Sequence, residues 1–179
     1  MMLFQNNQLT VRKLMLNDNL LLSKWLSNPA VLEFYDGRDN PSDLERVNRK
    51  FFNRNDGVNG CIIEYEKKSI GFIQYYRIDK EERLLYGYEH SNDLIYGIDQ
   101  FIGDTRYWGK GIGTLLVSSM VNFLIADKQA DRVVLDPQAS NIRALRCYEK
   151  CGFKKVKLLE KHELHEGEHR DCWVMEYSR

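Results

Sequence analysis

The chain has 179 residues, 43% hydrophobic, 12% aromatic and 29% charged. At about 100–200 residues per domain this predicts a single domain, 1–179, able to bury a core without disulfides or a metal. With only 3 prolines and 12 glycines, collagen-like and low-complexity chains are excluded. Lys plus Arg equal 26 and so do Asp plus Glu, so the basic footprint of a bulk nucleic-acid binder is missing.

The longest nearly apolar stretch, Leu115–Ala126, carries Ser118, Ser119 and Asn122, and is too short and polar to span a bilayer. The opening MMLFQNNQLT lacks a positive region ahead of an apolar core, so no secretory signal is expected. The four cysteines then read as reduced thiols in the cytoplasm.

Along the chain, Leu9–Leu14 alternates as a half-buried strand. Asn17 and Asp18 open a helix over Asn19–Leu26, which Ser27-Asn28-Pro29 stops. Ser42-Asp43-Leu44-Glu45 fits a capping box, predicting a second helix to about Arg54. Gly60–Tyr65 and Ile70–Ile78 read as a hairpin around Glu66–Ser69. Leu84–Tyr88 is a short strand and Leu94–Ile102 a longer one rich in β-formers. Gly113–Asp127 is a helix with Leu116, Met120, Phe123 and Leu124 on one face. Arg132–Leu135 is a short strand, and Ala139–Lys150 a helix ended by Gly152. Phe153–Leu159 and Cys172–Tyr177 are the closing strands. This order predicts a mixed-sheet α/β domain.

Trp108-Gly109-Lys110-Gly111-Ile112-Gly113-Thr114 lies between a strand and a helix. Glycines on alternate positions let successive backbone N–H groups converge at a helix N-terminus, which suits phosphate or pyrophosphate. It is not a P-loop: five residues separate Gly103 from Gly109, and Gly111 stands where a hydroxyl should be. It is not a dinucleotide fingerprint either, because Thr114 occupies the third glycine position. A plain flexible strand–helix connection would use the same glycines.

Two motifs together resemble the GNAT superfamily of acyl-coenzyme A transferases. Gly111-Ile112-Gly113, with Lys110, is similar to the second half of the family's pyrophosphate loop. The loop's first position is Trp108 rather than Gln or Arg, a departure that removes one polar side chain. Asn141 through Phe153, with Ala144, Tyr148 and Gly152 at matching places, looks like the family's N-x-x-A-x-x-x-Y-x-x-x-G-F segment. Tyr96-Gly97-Ile98-Asp99-Gln100, Leu135-Asp136-Pro137 and Val31 through Gly37 narrow the likeness to aminoglycoside 6'-N-acetyltransferases. His162-Glu163-Leu164-His165-Glu166-Gly167 extends it to the acetyltransferase half of bifunctional acetyltransferase–phosphotransferases, with no kinase half expected.

The resemblance implies a GNAT fold, with a central mixed, mostly antiparallel sheet flanked by helices. It implies acetyl-CoA as cosubstrate and an aminoglycoside as small-molecule partner. No metal, nucleic acid or membrane partner is expected, and a monomer or weak homodimer is. In an alternating strand Asp99 faces opposite to Ile98 and Gln100. An acid there is either paired internally or faces a cleft. Under the resemblance Asp99 orients the 6'-ammonium and takes its proton, directly or through water. Tyr148 is otherwise an ordinary helix aromatic; as a phenol, protonated at pH 7, it becomes the implied acid for the departing thiolate. Asn141 is an N-cap or a pantetheine contact, with Ala144 beside it. Backbone near Phe101 and Ile102 would hold the thioester, and Trp108, Lys110 and backbone from Gly109 to Thr114, including Gly111, Ile112 and Gly113, the pyrophosphate.

Asp136, at a strand's C-terminal end, suits a substrate contact and equally an Asx-turn. Glu33, Asp36 and Asp171 would add carboxylates and Tyr35 or Phe34 a stacking ring; Gln74 resembles a polar substrate contact in the family's G-x-x-Q strand, and Tyr96 is a further expected contact. His162, His165, His169 and Cys172 lack metal-site spacing. Cys147 and Cys151, four apart on a helix, read as a reduced packed pair.

Overall fold

A computed structural model describes residues 1–179. Its first half carries β1 (Met2–Asn6), β2 (Leu9–Lys13), α1 (Asn19–Trp25), α2 (Pro29–Leu32), α3 (Leu44–Val47), β3 (Asn59–Tyr65) and β4 (Lys68–Arg77). The second half carries α4 (Lys80–Tyr86), β5 (Ile95–Ile102), α5 (Ile112–Lys128), β6 (Arg132–Leu135), α6 (Ile142–Lys150), β7 (Lys154–His165) and β8 (Glu168–Ser178). The strands form one eight-stranded sheet in the order β1-β2-β3-β4-β5-β6-β8-β7. β5 and β6 run parallel over Ile95–Gly97, whereas β1–β2, β2–β3, β6–β8 and β7–β8 are antiparallel. The mixed, mostly antiparallel sheet with helices is therefore present. No helix is long and apolar enough to cross a membrane.

The chain folds into two compact units, Met1–Gln74 with Asp99–Ile112, and Tyr75–Ile98 with Gly113–Arg179. In the first, Leu22, Leu26, Val47, Ile62 and Phe72 are buried around Phe101. Each such side chain stabilises the fold by roughly 1.5–3 kcal/mol. Arg12 on β2 reaches both oxygens of Asp18 at 2.8 Å and Glu64 on β3 at 2.7 Å, tying the entry of α1 to the sheet. In the second unit, α5 buries Leu116, Val117, Met120, Val121 and Leu124 almost completely, more than the one face expected. Arg132 bridges Asp93 and Glu176, fixing the start of β6.

Several elements differ from expectation, each for a local reason. Leu84–Tyr88 is not a strand: α4 covers most of it. Asp79 caps that helix and Glu82 caps back, and Gly87 ends it in the left-handed region at φ +86°. Ser27-Asn28-Pro29 does not simply stop α1. Asn28 accepts from the Ala30 N–H and Pro29 starts α2 at its first position. The helix expected to reach Arg54 is capped by Asp43, whose side chain accepts from the Arg46 N–H, and not by Ser42, which is fully buried. It is α-helical for four residues and then widens into a π-turn, Asn48–Phe52. β1 is an additional strand, turned into β2 at Asn7, φ +53°. α6 begins at Ile142 and not Ala139, because the Asn141 side chain caps it by accepting from the Ala144 N–H. β7 and β8 run far past Leu159 and start before Cys172, joined at Glu166 and Gly167, whose positive φ values suit a tight hairpin.

Candidate active site

In the first unit the candidate residues lie on β4 and β5. Asp99 is half-buried near the middle of β5, and Gln74 on β4 donates its amide nitrogen to Asp99 Oδ2 at 2.8 Å. The Gln74 amide is one hydrogen-bond partner of Asp99 and, being neutral, brings no counter-charge of its own. Arg54, just past the π-turn, donates to Gln74 Oε1 at 3.2 Å. Its guanidinium also holds Asp56, with Nε at 2.9 and 2.8 Å and Nη2 at 2.6 Å. That pairing keeps the Asp56 carboxyl below the usual carboxylate range.

Phe101 is buried, its ring edge-on to Trp25 and tilted against Tyr35 and Phe72. Its side chain belongs to the core, so what it can offer an acyl group is backbone. The neighbouring strand comes close here: a Cβ on Gly71 would lie 2.4 Å from the Phe101 carbonyl oxygen. Beyond Ile102 the chain turns at Asp104, which accepts from the Arg106 N–H and opens a short 3-10 turn, Thr105–Tyr107. Trp108 takes a role its departure from the motif did not suggest. Its indole N–H donates to the Ile102 carbonyl at 2.8 Å, fastening the glycine loop to the end of β5.

Gly109 and Gly111 take φ values of +72° and +76°, which only glycine adopts without strain. A Cβ at either would meet nothing within 4 Å, so the loop has open space beside its backbone. Lys110 is exposed, its ammonium 5.6 Å from the Tyr107 ring centre, and Ile112 is buried as the loop enters α5. Open backbone at a helix entry with a cation beside it fits a pyrophosphate group. Of the other expected contacts in this unit, Glu33 is exposed. Asp36 forms an ion pair with Lys50, whose ammonium also lies 5.4 Å from the Tyr35 ring centre. The structure thus joins Asp36 and Tyr35 through one lysine.

In the second unit the two motifs meet. Thr114 Oγ1 at the start of α5 lies 3.6 Å from Cys147 Sγ on α6, and Cys151 Sγ donates to the Thr114 carbonyl at 3.5 Å. The hydrogen bond from Cys147 draws the Cys151 thiol down, while the same contact and burial push Cys147 up. Tyr148 is half-buried on α6, 6.1 Å from the Phe153 ring, and Gly152, φ +93°, packs its backbone on Tyr177. Asn141 is the N-cap of α6, and Ala144 supplies the N–H that it holds.

Tyr96 is almost buried, its ring 6.3 Å from that of Tyr75. Asp136 directly follows β6 and accepts from the Tyr86 hydroxyl at 3.0 Å. His162 Nε2 lies 3.0 Å from the same Asp136 oxygen, and this contact raises the imidazole pKa above 6.5. Asp171 is exposed, and its side chain accepts from the Lys161 N–H where the β7–β8 register shifts. Burial pushes the Cys172 thiol up to about 12. No group of three or more His, Cys, Asp or Glu side chains is arranged to hold a metal ion.

Sequence reasoning missed Arg54, Asp56, Tyr86 and the pairing of His162 with Asp136. The first two lie in a polar loop without a motif. Tyr86 falls in a stretch that reads as a strand, and nothing local to His162, whether its place in the family-like segment or its histidine spacing, points to Asp136.

A glycine-rich turn with open backbone at a helix entry, following a strand that carries an acid, is the kind of arrangement an acyl-coenzyme A transferase uses. The chain belongs to the acetyltransferase (GNAT) domain family, whose profile matches residues 15–161. It is 29% identical over 153 residues to aminoglycoside N(6')-acetyltransferase type 1 of Klebsiella pneumoniae, covering 84% of this chain and 76% of that protein. It is also similar to the crystal structure of aminoglycoside acetyltransferase AAC(6')-Ib in complex with coenzyme A and kanamycin. The TM-score is 0.76 and the identity 27%, over 96% of this chain and 95% of that one. A spermine/spermidine N(1)-acetyltransferase of Bacillus subtilis is 29% identical over 90 residues, 50% of this chain and 55% of that protein.

Proposed function

We propose that residues 1–179 act as one N-acetyltransferase domain that moves the acetyl group of acetyl-CoA to the 6'-amine of aminoglycoside antibiotics of the kanamycin and tobramycin type, inactivating them. The observation that carries the reading is Asp99, a carboxylate held by the neutral amide of Gln74 on the strand before the glycine turn. The likeness to aminoglycoside enzymes over most of the chain supports the choice of acceptor. In this reading the bacterial cytoplasm is the site of action.

Asp99 orients the substrate ammonium and receives its proton, directly or through water. A carboxylate is a weak base for an ammonium, so placement contributes more than basicity. Backbone N–H groups at Phe101 and Ile102 polarise the thioester carbonyl, where charge builds as the new C–N bond forms. Tyr148 gives its proton to the sulfur as the C–S bond breaks, and the second proton that the nitrogen sheds on becoming an amide restores the phenol. Lys110 and the open backbone of Gly109 and Gly111 hold the pyrophosphate, with Trp108 fixing that loop. Ile112, Gly113 and Thr114 continue the contact into α5, and Asn141 and Ala144 serve the pantetheine arm. Glu33, Tyr35, Asp36, Gln74, Tyr96, Asp136 and Asp171 receive the amino sugar.

A second reading, a polyamine such as spermidine as acceptor, is favoured by the likeness to the Bacillus subtilis enzyme. Acidic contacts suit either polycation. Asp99→Asn tests the shared mechanism. Turnover is expected to fall by about 10²–10⁴, the usual worth of a positioned acid–base group, with acetyl-CoA affinity intact. Unchanged turnover removes Asp99 from the mechanism.

A further inference from the structure

We propose that Arg54, clamped by Asp56, is a positioning residue for Asp99 that acts through the Gln74 amide. This rests on the reading of Asp99 given above. The four side chains form one directional series. Asp56 accepts from Arg54, Arg54 donates to Gln74 Oε1, and Gln74 Nε2 donates to Asp99 Oδ2.

An amide can rotate by half a turn and exchange its donor and acceptor ends. While Asp99 is ionised it accepts only, so it selects the NH2 end. Once it has taken a proton from the amine it can also donate, and that selection is lost. Arg54 removes the ambiguity, because a guanidinium has five N–H donors and no acceptor. Rotating Gln74 would set donor against donor. Arg54 therefore keeps Asp99 Oδ2 an acceptor through the cycle, and a proton taken from the substrate is held at Oδ1 or passed on from there.

The clamp suits this task more than it suits stability. The Arg54 side chain is 25% exposed and that of Asp56 49%, and exposed ion pairs contribute little to folding. Three contacts to Asp56 occupy Nε and Nη2 and leave Nη1 aimed at Gln74. Asp56 also accepts from the Val58 N–H, which fixes the clamp to its own turn. Its negative charge offsets that of Arg54, so a cationic acceptor meets an ordered carboxylate without net repulsion.

The test measures kcat and KM with kanamycin, and with spermidine if kanamycin is not turned over, in wild type, Arg54→Met, Gln74→Met, the double variant and Arg54→Lys. Arg54→Met is expected to lower kcat about tenfold, the worth of one charge-assisted hydrogen bond, with acetyl-CoA KM within about twofold. In the Gln74→Met background the same change should add less than about twofold, because residues acting in one series are not additive. Arg54→Lys, which keeps a cationic donor, should restore most of the loss. If Arg54→Met does not fold, Asp56→Asn makes the same test with a smaller fall in kcat. The inference is overturned if Arg54→Met matches wild type, or if its full loss persists without Gln74. Asp99→Asn separates the two failures. If it is active, the reading of Asp99 falls and this inference with it; if it is inactive while Arg54→Met is normal, only the clamp is wrong.

Discussion

Gly71→Ala should damage fold and site together. A Cβ on Gly71 would lie 2.4 Å from the Phe101 carbonyl oxygen, 3.0 Å from Ile102 Cα and 3.2 Å from Ile63 Cδ1. The first contact is about 1 Å inside an ordinary van der Waals distance, and two of the three neighbours are backbone. Backbone held in a sheet yields less than a side-chain tip, so the penalty sits near the top of the usual overpacking range, about 3 kcal/mol. For a chain this long that lowers the unfolding midpoint by about 6–12 °C. Gly57→Ala is the control: it meets nothing within 4 Å but keeps φ +76°. It should cost about 1–2 kcal/mol, from conformation alone. Thermal unfolding gives the first quantity and acetyl-CoA KM the second, which should rise in Gly71→Ala because Phe101 and Ile102 must move. A Gly71→Ala protein melting within about 2 °C of wild type would refute the packing argument.

Tyr148→Phe keeps the ring beside Phe153 and removes only the phenolic proton; kcat should fall by about 10²-fold at little loss of stability, read by single-turnover kinetics and melting. His162 should make acceptor binding depend on pH. Its hydrogen bond to Asp136 raises its pKa, so the protonated form is favoured in the folded chain. That stabilisation is complete below about 6.5 and is lost as pH rises through the raised value. While His162 is charged it competes with a substrate ammonium for Asp136. Acceptor KM should therefore fall as pH rises through that window, and His162→Gln should flatten the trend. At pH 7 iodoacetamide should label Cys151, whose thiol the hydrogen bond from Cys147 draws down, before Cys147, and the fully buried Cys61 and Cys172 should label last; peptide mass mapping reads the order.

The sequence was most legible where local chemistry and tertiary structure agree. β5 and α5 were within a residue or two of their bounds because apolar runs and a glycine turn delimit them. α4 was missed although Asp79 and Glu82 form a capping box, because the apolar pair Leu84 and Leu85 suggested a strand. Both are in fact exposed. The long β7–β8 hairpin was hidden by its charged residues. β7 is the last strand of the sheet, and an edge strand tolerates charge on both faces. Motif and resemblance single out Asp99, Gln74 and the glycine loop as candidates, and the fold adds the hydrogen bond that joins the first two. Arg54 is not singled out, because its role arises from a contact with Gln74, twenty residues away along the chain. Trp108 was read as the loss of a polar group, and only the fold reveals its indole N–H tying the loop to Ile102.

The most direct test of the account is acetyl-CoA-dependent thiol release by the purified protein. It compares an aminoglycoside bearing a 6'-amine with one bearing a 6'-hydroxyl, and spermidine with both. Release with the 6'-amine compound alone is the predicted result, and it would establish the reaction together with its position. Release with spermidine and with neither aminoglycoside would keep the acetyltransferase and contradict the antibiotic as its acceptor.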